Sequence, residues 1–153
     1  MTSLSLRDIE NLVGTVTGTS SWFEVTQERI AAFADVTLDH QWIHVDEAAA
    51  ASGPFQSTIA HGFLTLSLLP HLLEGISVSP AGVAMGINYG SDKVRFLAPV
   101  PVGSKVRAVS TLMGFTDRGD NRYLATSHVV VEIEGSETPA LVADILTLFV
   151  MAP

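Results

Sequence analysis

Between Ile59 and Leu73 the chain is apolar almost all the way round a helical wheel, with leucine at 64, 66, 68, 69, 72 and 73 and no acidic residue, lysine or arginine. A helix of that composition has to be buried on most faces. Pro70 removes one intrahelical bond, so the confident part of this central helix is residues 62–70, with His61-Gly62 at its N-terminal end. Upstream, Ile30, Phe33 and Ala34 recur at helical spacing behind Thr26, a residue suited to cap a helix, and Gln27 and Glu28 fill the first turn. This predicts an amphipathic helix over 27–36. Asp46 caps a second, short helix over 47–51 that stops at Ser52-Gly53-Pro54.

After Leu73 the period changes from 3.6 to 2. Val94 and Phe96 alternate with Lys93 and Arg95, and Tyr123, Ala125, Ser127, Val129, Val131 and Ile133 mark one face of a long strand. Four strands are expected over 83–97, 104–116, 121–134 and 140–151, with an earlier one near 20–25. The links 117–121 and 134–137 are turn-rich and of hairpin length, which makes the strands antiparallel neighbours. The pattern describes one α+β domain across residues 1–153, a curved antiparallel sheet wrapped around a central, largely buried helix. A sheet this long has edges, and pairing one with a second copy would make a homodimer.

Composition narrows the chemistry. At 47% hydrophobic and 16% charged residues, the chain can bury a substantial core. It has no cysteine, which removes disulfides, thiolate nucleophiles and cysteine-ligated metals. The formal charge of −8 argues against nucleic acid bound on a broad cationic face. Arg7, Asp8 and Glu10 interrupt any signal-peptide core, and no stretch offers ~18 consecutive apolar residues, so a cytoplasmic protein with no membrane partner is expected. Lys93, Arg95, Lys105 and Arg107, clustered in sequence, are candidates for a local basic rim, and each can equally be a solvated strand-face charge.

Asp39 and His44 bracket a tetrapeptide containing Trp42 and Ile43, which presents a carboxylate and an imidazole beside apolar side chains that exclude bulk water. Such a pair can activate a water, and it can equally be a capping aspartate beside a hydrogen-bonded structural histidine. His40 and His44 have the i,i+4 spacing of metal ligands, with Asp39 or His61 as a third. The His-Glu-x-x-His signature is absent, however, and no metal is expected. Serine-hydrolase elbow, phosphate-binding lysine loop and dinucleotide glycine fingerprint are absent too, and no cofactor is implied.

The run Phe33-Ala34-Asp35-Val36-Thr37-Leu38-Asp39-His40-Gln41-Trp42-Ile43-His44-Val45-Asp46, followed by Ile59-Ala60-His61-Gly62-Phe63, resembles the MaoC-like, (R)-specific enoyl-CoA hydratases of the hot-dog fold. The nodulation-protein-N-like hydratases of actinobacteria look nearest. The likeness extends through Ile87-Asn88-Tyr89-Gly90 and Lys93-Val94-Arg95-Phe96. It implies hydration of a trans-2-enoyl-CoA in fatty-acid metabolism, with Asp39 and His44 as the catalytic pair and the Gly62 amide as oxyanion donor. By the same likeness Gln41, Ala60, His61 and Phe63 line the substrate, and the polyanionic carrier lies near Asn88, Tyr89, Lys93 or Arg95. Three places depart from the family: Leu38 and Gln41-Trp42 replace a glycine and an Asn-Pro, and Pro70 falls where some members have serine, with Ser67 the nearest substitute. A hot-dog acyl-CoA thioesterase, an acyl-carrier-protein dehydratase and a noncatalytic thioester-binding module are the alternatives.

Overall fold

The computed structural model describes residues 2–153. Its chain runs β1 (Thr2–Leu4), α1 (Leu6–Asn11), β2 (Val16–Thr19), β3 (Phe23–Glu24), α2 (Gln27–Thr37), α3 (Trp42–Val45), α4 (Glu47–Ala51), α5 (Gly62–Ser67), α6 (Leu69–Leu72), β4 (Val78–Pro80), β5 (Val83–Phe96), β6 (Lys105–Asp117), β7 (Arg122–Ile133) and β8 (Leu141–Met151). The main sheet has the order β2-β6-β7-β8-β5, with β3 also pairing β6; all its pairs are antiparallel. β1 and β4 form a separate parallel pair.

The four long strands fall within a residue of their expected limits because the alternation decides both register and face. Val106, Ala108, Val129, Val131, Leu141 and Ala143 are all fully buried, and they meet Leu64, Leu69 and Leu72 from the helices. Each such leucine, taken out of water, contributes roughly 1.5–3 kcal/mol. Thr26 caps α2 through the Arg29 N–H, and Asp46 caps α4 through the Ala49 N–H, both as their spacing predicts.

Three features differ from the expectation. The early strand expected near 20–25 is only the two-residue β3, and β2 precedes it. The central helix is two helices, α5 and α6, meeting at Leu68, and Pro70 lies in the first turn of α6, where a missing N–H leaves no bond unmade. Nor is that helix buried on most faces: Phe63, Ser67, Pro70, His71 and Glu74 are exposed along one stripe. The open side is there because β5, the neighbouring edge strand, has no further strand beyond it and is exposed along nearly its whole length.

Candidate active site

The two stretches singled out by composition do meet. α2 ends at Leu38, whose φ of 61° turns the chain sharply into the loop that carries Asp39. The single turn of α3 then directs His44 inward to 6% exposure, while Ile59 returns alongside it, its N–H donating to the Ile43 carbonyl at 3.0 Å. Gln27 of α2 ties the three segments together: its side-chain amide donates to the His44 carbonyl at 2.8 Å and accepts the Thr58 hydroxyl.

The His44 Nδ1–H donates to the Ile59 carbonyl at 2.7 Å, so Nε2 is the bare nitrogen, able to accept a proton. The His61 Nε2–H donates to the Asp39 carbonyl at 2.9 Å. The two imidazoles stack with centroids 3.7 Å apart, and Phe33 leans on the far ring at 5.1 Å. One carboxylate oxygen of Asp39 and one nitrogen from each histidine lie within 4.8 Å of one another. Asp39 and His44 are not bonded directly, and a single water reaching about 2.8 Å each way spans their gap. Burial holds the His44 imidazole below its ordinary pKa; the bond to Ile59 opposes this, nearby His61 adds to it and Asp39 works against it. His44 is therefore neutral at neutral pH.

Asp39, His44 and His61 are also near enough together for a metal, but one nitrogen of each imidazole is already spent on a backbone carbonyl. The arrangement suits proton transfer to and from a water.

Gly62 opens α5, and its N–H meets no acceptor among the described residues. A Cβ there would lie 3.0 Å from the Phe96 ring, so the glycine is required by the approach of that ring as well as by any ligand. From Leu66 onward, about 6 Å along the axis from Gly62, a cavity of about 690 Å³ opens between the helices and the sheet. Leu66, Ser67, Pro70 and Leu73 form one wall and Asn88, Ser127, Ile145, Thr147 and Phe149 the other.

Residues 8–133 match the family described as MaoC like domain. The chain belongs to the MaoC-like dehydratase family. It is 51% identical over 146 residues to 3-hydroxyacyl-thioester dehydratase Z of Mycobacterium tuberculosis, covering 95% of this chain and 96% of that one. It is 45% identical to nodulation protein N of Rhizobium leguminosarum, over all of this chain and 96% of the other. Among solved structures, the (R)-hydratase from A. caviae involved in PHA biosynthesis superposes with a TM-score of 0.72 at 25% identity, covering 88% of this chain and 94% of that one. The α+β hot-dog architecture is thus that of the family, and its dehydratases and hydratases are hydro-lyases.

Within this MaoC-like domain the remaining anticipated residues separate. Gln41 sits beside the pair, its carbonyl accepting the His44 N–H and its own N–H reaching Asp39 at 3.4 Å. Phe63 is 67% exposed and meets Phe96 edge-on. Ala60, by contrast, is buried in the core with its N–H on the Val100 carbonyl, a structural position. Asn88 lines the cavity, whereas Tyr89 is solvent-exposed on the edge strand.

Lys93 and Arg95, anticipated near the carrier, stand apart from the Asp39–His44 pair. Phe96 pairs with buried Leu141 and faces Gly62, so Arg95, opposite Val142, faces the other side of the sheet. Lys93 is on that side too, bound at 2.9 Å to Asp144, whose strand neighbour Ile145 lines the cavity on the inner face. Neither cation borders the Asp39–His44 pair. Phe96 itself was missed; its alternation with Arg95 was visible, but that pattern carried no sign that its ring would cover Gly62.

Proposed function

We propose that this protein catalyses the reversible hydration of a trans-2-enoyl-CoA to the (R)-3-hydroxyacyl-CoA. The observation that carries the reading is buried His44, its Nε2 left bare by the Nδ1 bond to Ile59, on a ring with one nitrogen within 4.8 Å of an Asp39 carboxylate oxygen. The water gives a proton to this pair as its oxygen bonds to C3, and C2 takes a proton from the same side, which makes the addition syn. The negative charge that develops on the thioester oxygen would be met by the Gly62 N–H, a contribution of ~3–4 kcal/mol in the transition state. The acyl group would extend along α5 into the cavity beside Leu66 and Leu73.

A homodimer fits the same reading. β5 leaves one strand edge unpaired over 14 residues and exposes Met85, Ile87 and Tyr89, the kind of edge that soluble proteins cover. One relative, 3-hydroxyacyl-thioester dehydratase Z, is named for an acyl thioester, and no helix among the described residues is long and apolar enough to cross a membrane.

The test is turnover on a ladder of trans-2-enoyl-CoA lengths, with the same acyl groups on acyl carrier protein, followed by chiral analysis of the product. Predominantly (R) product is expected. Predominantly (S) or racemic product would overturn the arrangement, and release of free thiol from a saturated acyl-CoA would turn the assignment toward a thioesterase.

A further inference from the structure

Two buried imidazoles lie together where the chemistry calls for one. His61 is only 3% exposed, and its Nε2–H is committed to the Asp39 carbonyl at 2.9 Å. Its Nδ1 is consequently a lone pair, buried and without a partner among the described residues. A phenylalanine would fill the space between Phe33 and His44 without burying an unanswered acceptor, so packing does not account for a histidine here. What the histidine adds is the Nε2–H, and that donor goes to the loop carrying the proposed catalytic carboxylate.

The loop has little else to hold it. Leu38 before it is 81% exposed in a left-handed conformation, and the Asp39 side chain is exposed with a single long contact to the Gln41 N–H. His40 pairs outward with Asp35, exposed on α2. The His61 bond is the tie from this loop to the start of α5, and its ring is simultaneously the surface against which His44 lies.

We propose that His61 is a positioning residue for the Asp39–His44 pair, its Nε2–H fixing the Asp39 backbone while its stacked ring fixes the plane of His44. At 3% exposure it offers a substrate almost no surface. Its tautomer is set by the bond it makes, and so is that of His44, leaving one bare nitrogen on each ring. The charged groups facing the stacked rings are few: Asp39 from the loop, and each histidine toward the other. Phe33, which α2 contributes, is apolar.

The inference has one arm that is independent of the hydratase reading and one that rests on it. In long-range 1H–15N NMR of 15N-histidine-labelled protein at neutral pH, His61 should carry a proton on Nε2, and His44 should be neutral with its proton on Nδ1. A His61 ring with no proton on Nε2 overturns the proposal whatever the protein's activity.

In the kinetic arm, His61→Phe keeps the stacked ring and removes the donor, while His61→Gln places an amide N–H near the position of Nε2. On a trans-2-enoyl-CoA, His61→Phe should lower kcat ~10–100-fold with KM little changed, as a loosely held pair misplaces the water. The acid limb of its pH profile should move upward, because a neighbour that disfavours charge on His44 is gone. His61→Gln, which restores the donor but not the ring, should recover part of kcat. Wild-type kcat in a folded His61→Phe protein, or a His61→Gln protein of matched thermal stability with no recovery, overturns the proposal. Should His61→Phe not fold, the comparison of His61→Gln with wild type and the tautomers decide. A wild-type protein inactive on every enoyl thioester sinks the hydratase reading, and the tautomers alone then judge the role of His61.

Discussion

Two of the places that bring an aspartate against a histidine are built in opposite ways. On the outer face of the sheet, Asp144 is 9% exposed, and both its oxygens are taken: His128 Nδ1 lies 2.8 Å from one and Lys93 Nζ 2.9 Å from the other. Its carboxyl is held below the usual carboxylate range, by the bond to His128 first and the bond to Lys93 next. At the α5 end, Asp39 and His44 leave a gap between them, His44 keeps a bare nitrogen, and the carboxylate is exposed. A saturated cluster holds strands in place; an unsaturated one can accept and return a proton. The difference lies in which lone pairs are still free, and residue type alone does not reveal it.

The largest effect should come from emptying the unsaturated pair. Asp39→Asn and His44→Asn are each expected to lower turnover by at least ~100-fold, the usual scale for a general acid–base group. Asparagine at 44 retains a donor for the Ile59 carbonyl while removing the base, so the melting temperature should hold. Alanine there would leave that carbonyl unanswered, at about 1–3 kcal/mol. Wild-type turnover in either folded asparagine variant would return the pair to a structural role.

The pH profile sharpens the same point. Because burial holds His44 below its ordinary value, turnover should persist as pH falls to about 6.5, the free-histidine value, and fail only below it. Stability should follow in the same direction. Below the ordinary histidine pKa the unfolded chain binds the proton that buried His44 resists, so stability declines as pH drops through that range.

At the saturated cluster the expected loss is of stability and not of rate. Asp144→Asn removes a charge-assisted bond to His128 on β7 and the contact that joins β5 to β8, and should cost about 1–2 kcal/mol, or roughly 2–8 °C in melting temperature. Since the carboxyl is depressed in the folded protein, its contribution is present above the ordinary carboxylate pKa and is lost as pH falls through the lowered one. The deficit of the variant should therefore narrow in acid, below about pH 4. Thermal melts at two pH values, with turnover per folded molecule, check this; an unchanged melt with impaired turnover would reverse the roles of the two clusters.

This contrast also marks how far the sequence could be read. Alternation located the strands to within a residue, and capping residues located α2 and α4, because both signals are local. Ser5, three residues before Asp8, accepts the Asp8 N–H and caps α1, a signal present in the sequence but not acted on. The one-turn α3 and the short β1–β4 pair depend on tertiary contacts that no local period expresses. Asp39, His44 and Gly62 stood out as candidates by the family likeness, and the structure brings Asp39 and His44 near each other. Leu38 stood out as a departure from the family's glycine, and its left-handed φ of 61° gives that departure a physical meaning: the turn before Asp39 is one that glycine makes without strain. The alternation did separate Lys93 and Arg95 from Val94 and Phe96; what could not be read is which of the two faces turns toward Gly62, because β5 is an edge strand exposed along nearly its whole length.

The smallest expected effect follows from those two cations. Clustered basic residues in an acidic chain are natural candidates to hold the phosphates of a CoA carrier, yet Arg95 spends one N–H on the neighbouring Val94 carbonyl, and Lys93 is bound to Asp144 on the face turned away from Gly62. Lys93→Met and Arg95→Gln should therefore change KM for an enoyl-CoA by less than about twofold, as expected for exposed charges whose attraction water and salt largely screen. Lys93→Met should be the more informative of the two. It frees one oxygen of Asp144 without touching the inner face, so any effect on binding must pass through the shape of β5. A tenfold rise in KM for the CoA thioester, with no comparable change for a short thioester lacking the nucleotide, would place the carrier on the outer face and require its path to cross the β5 edge.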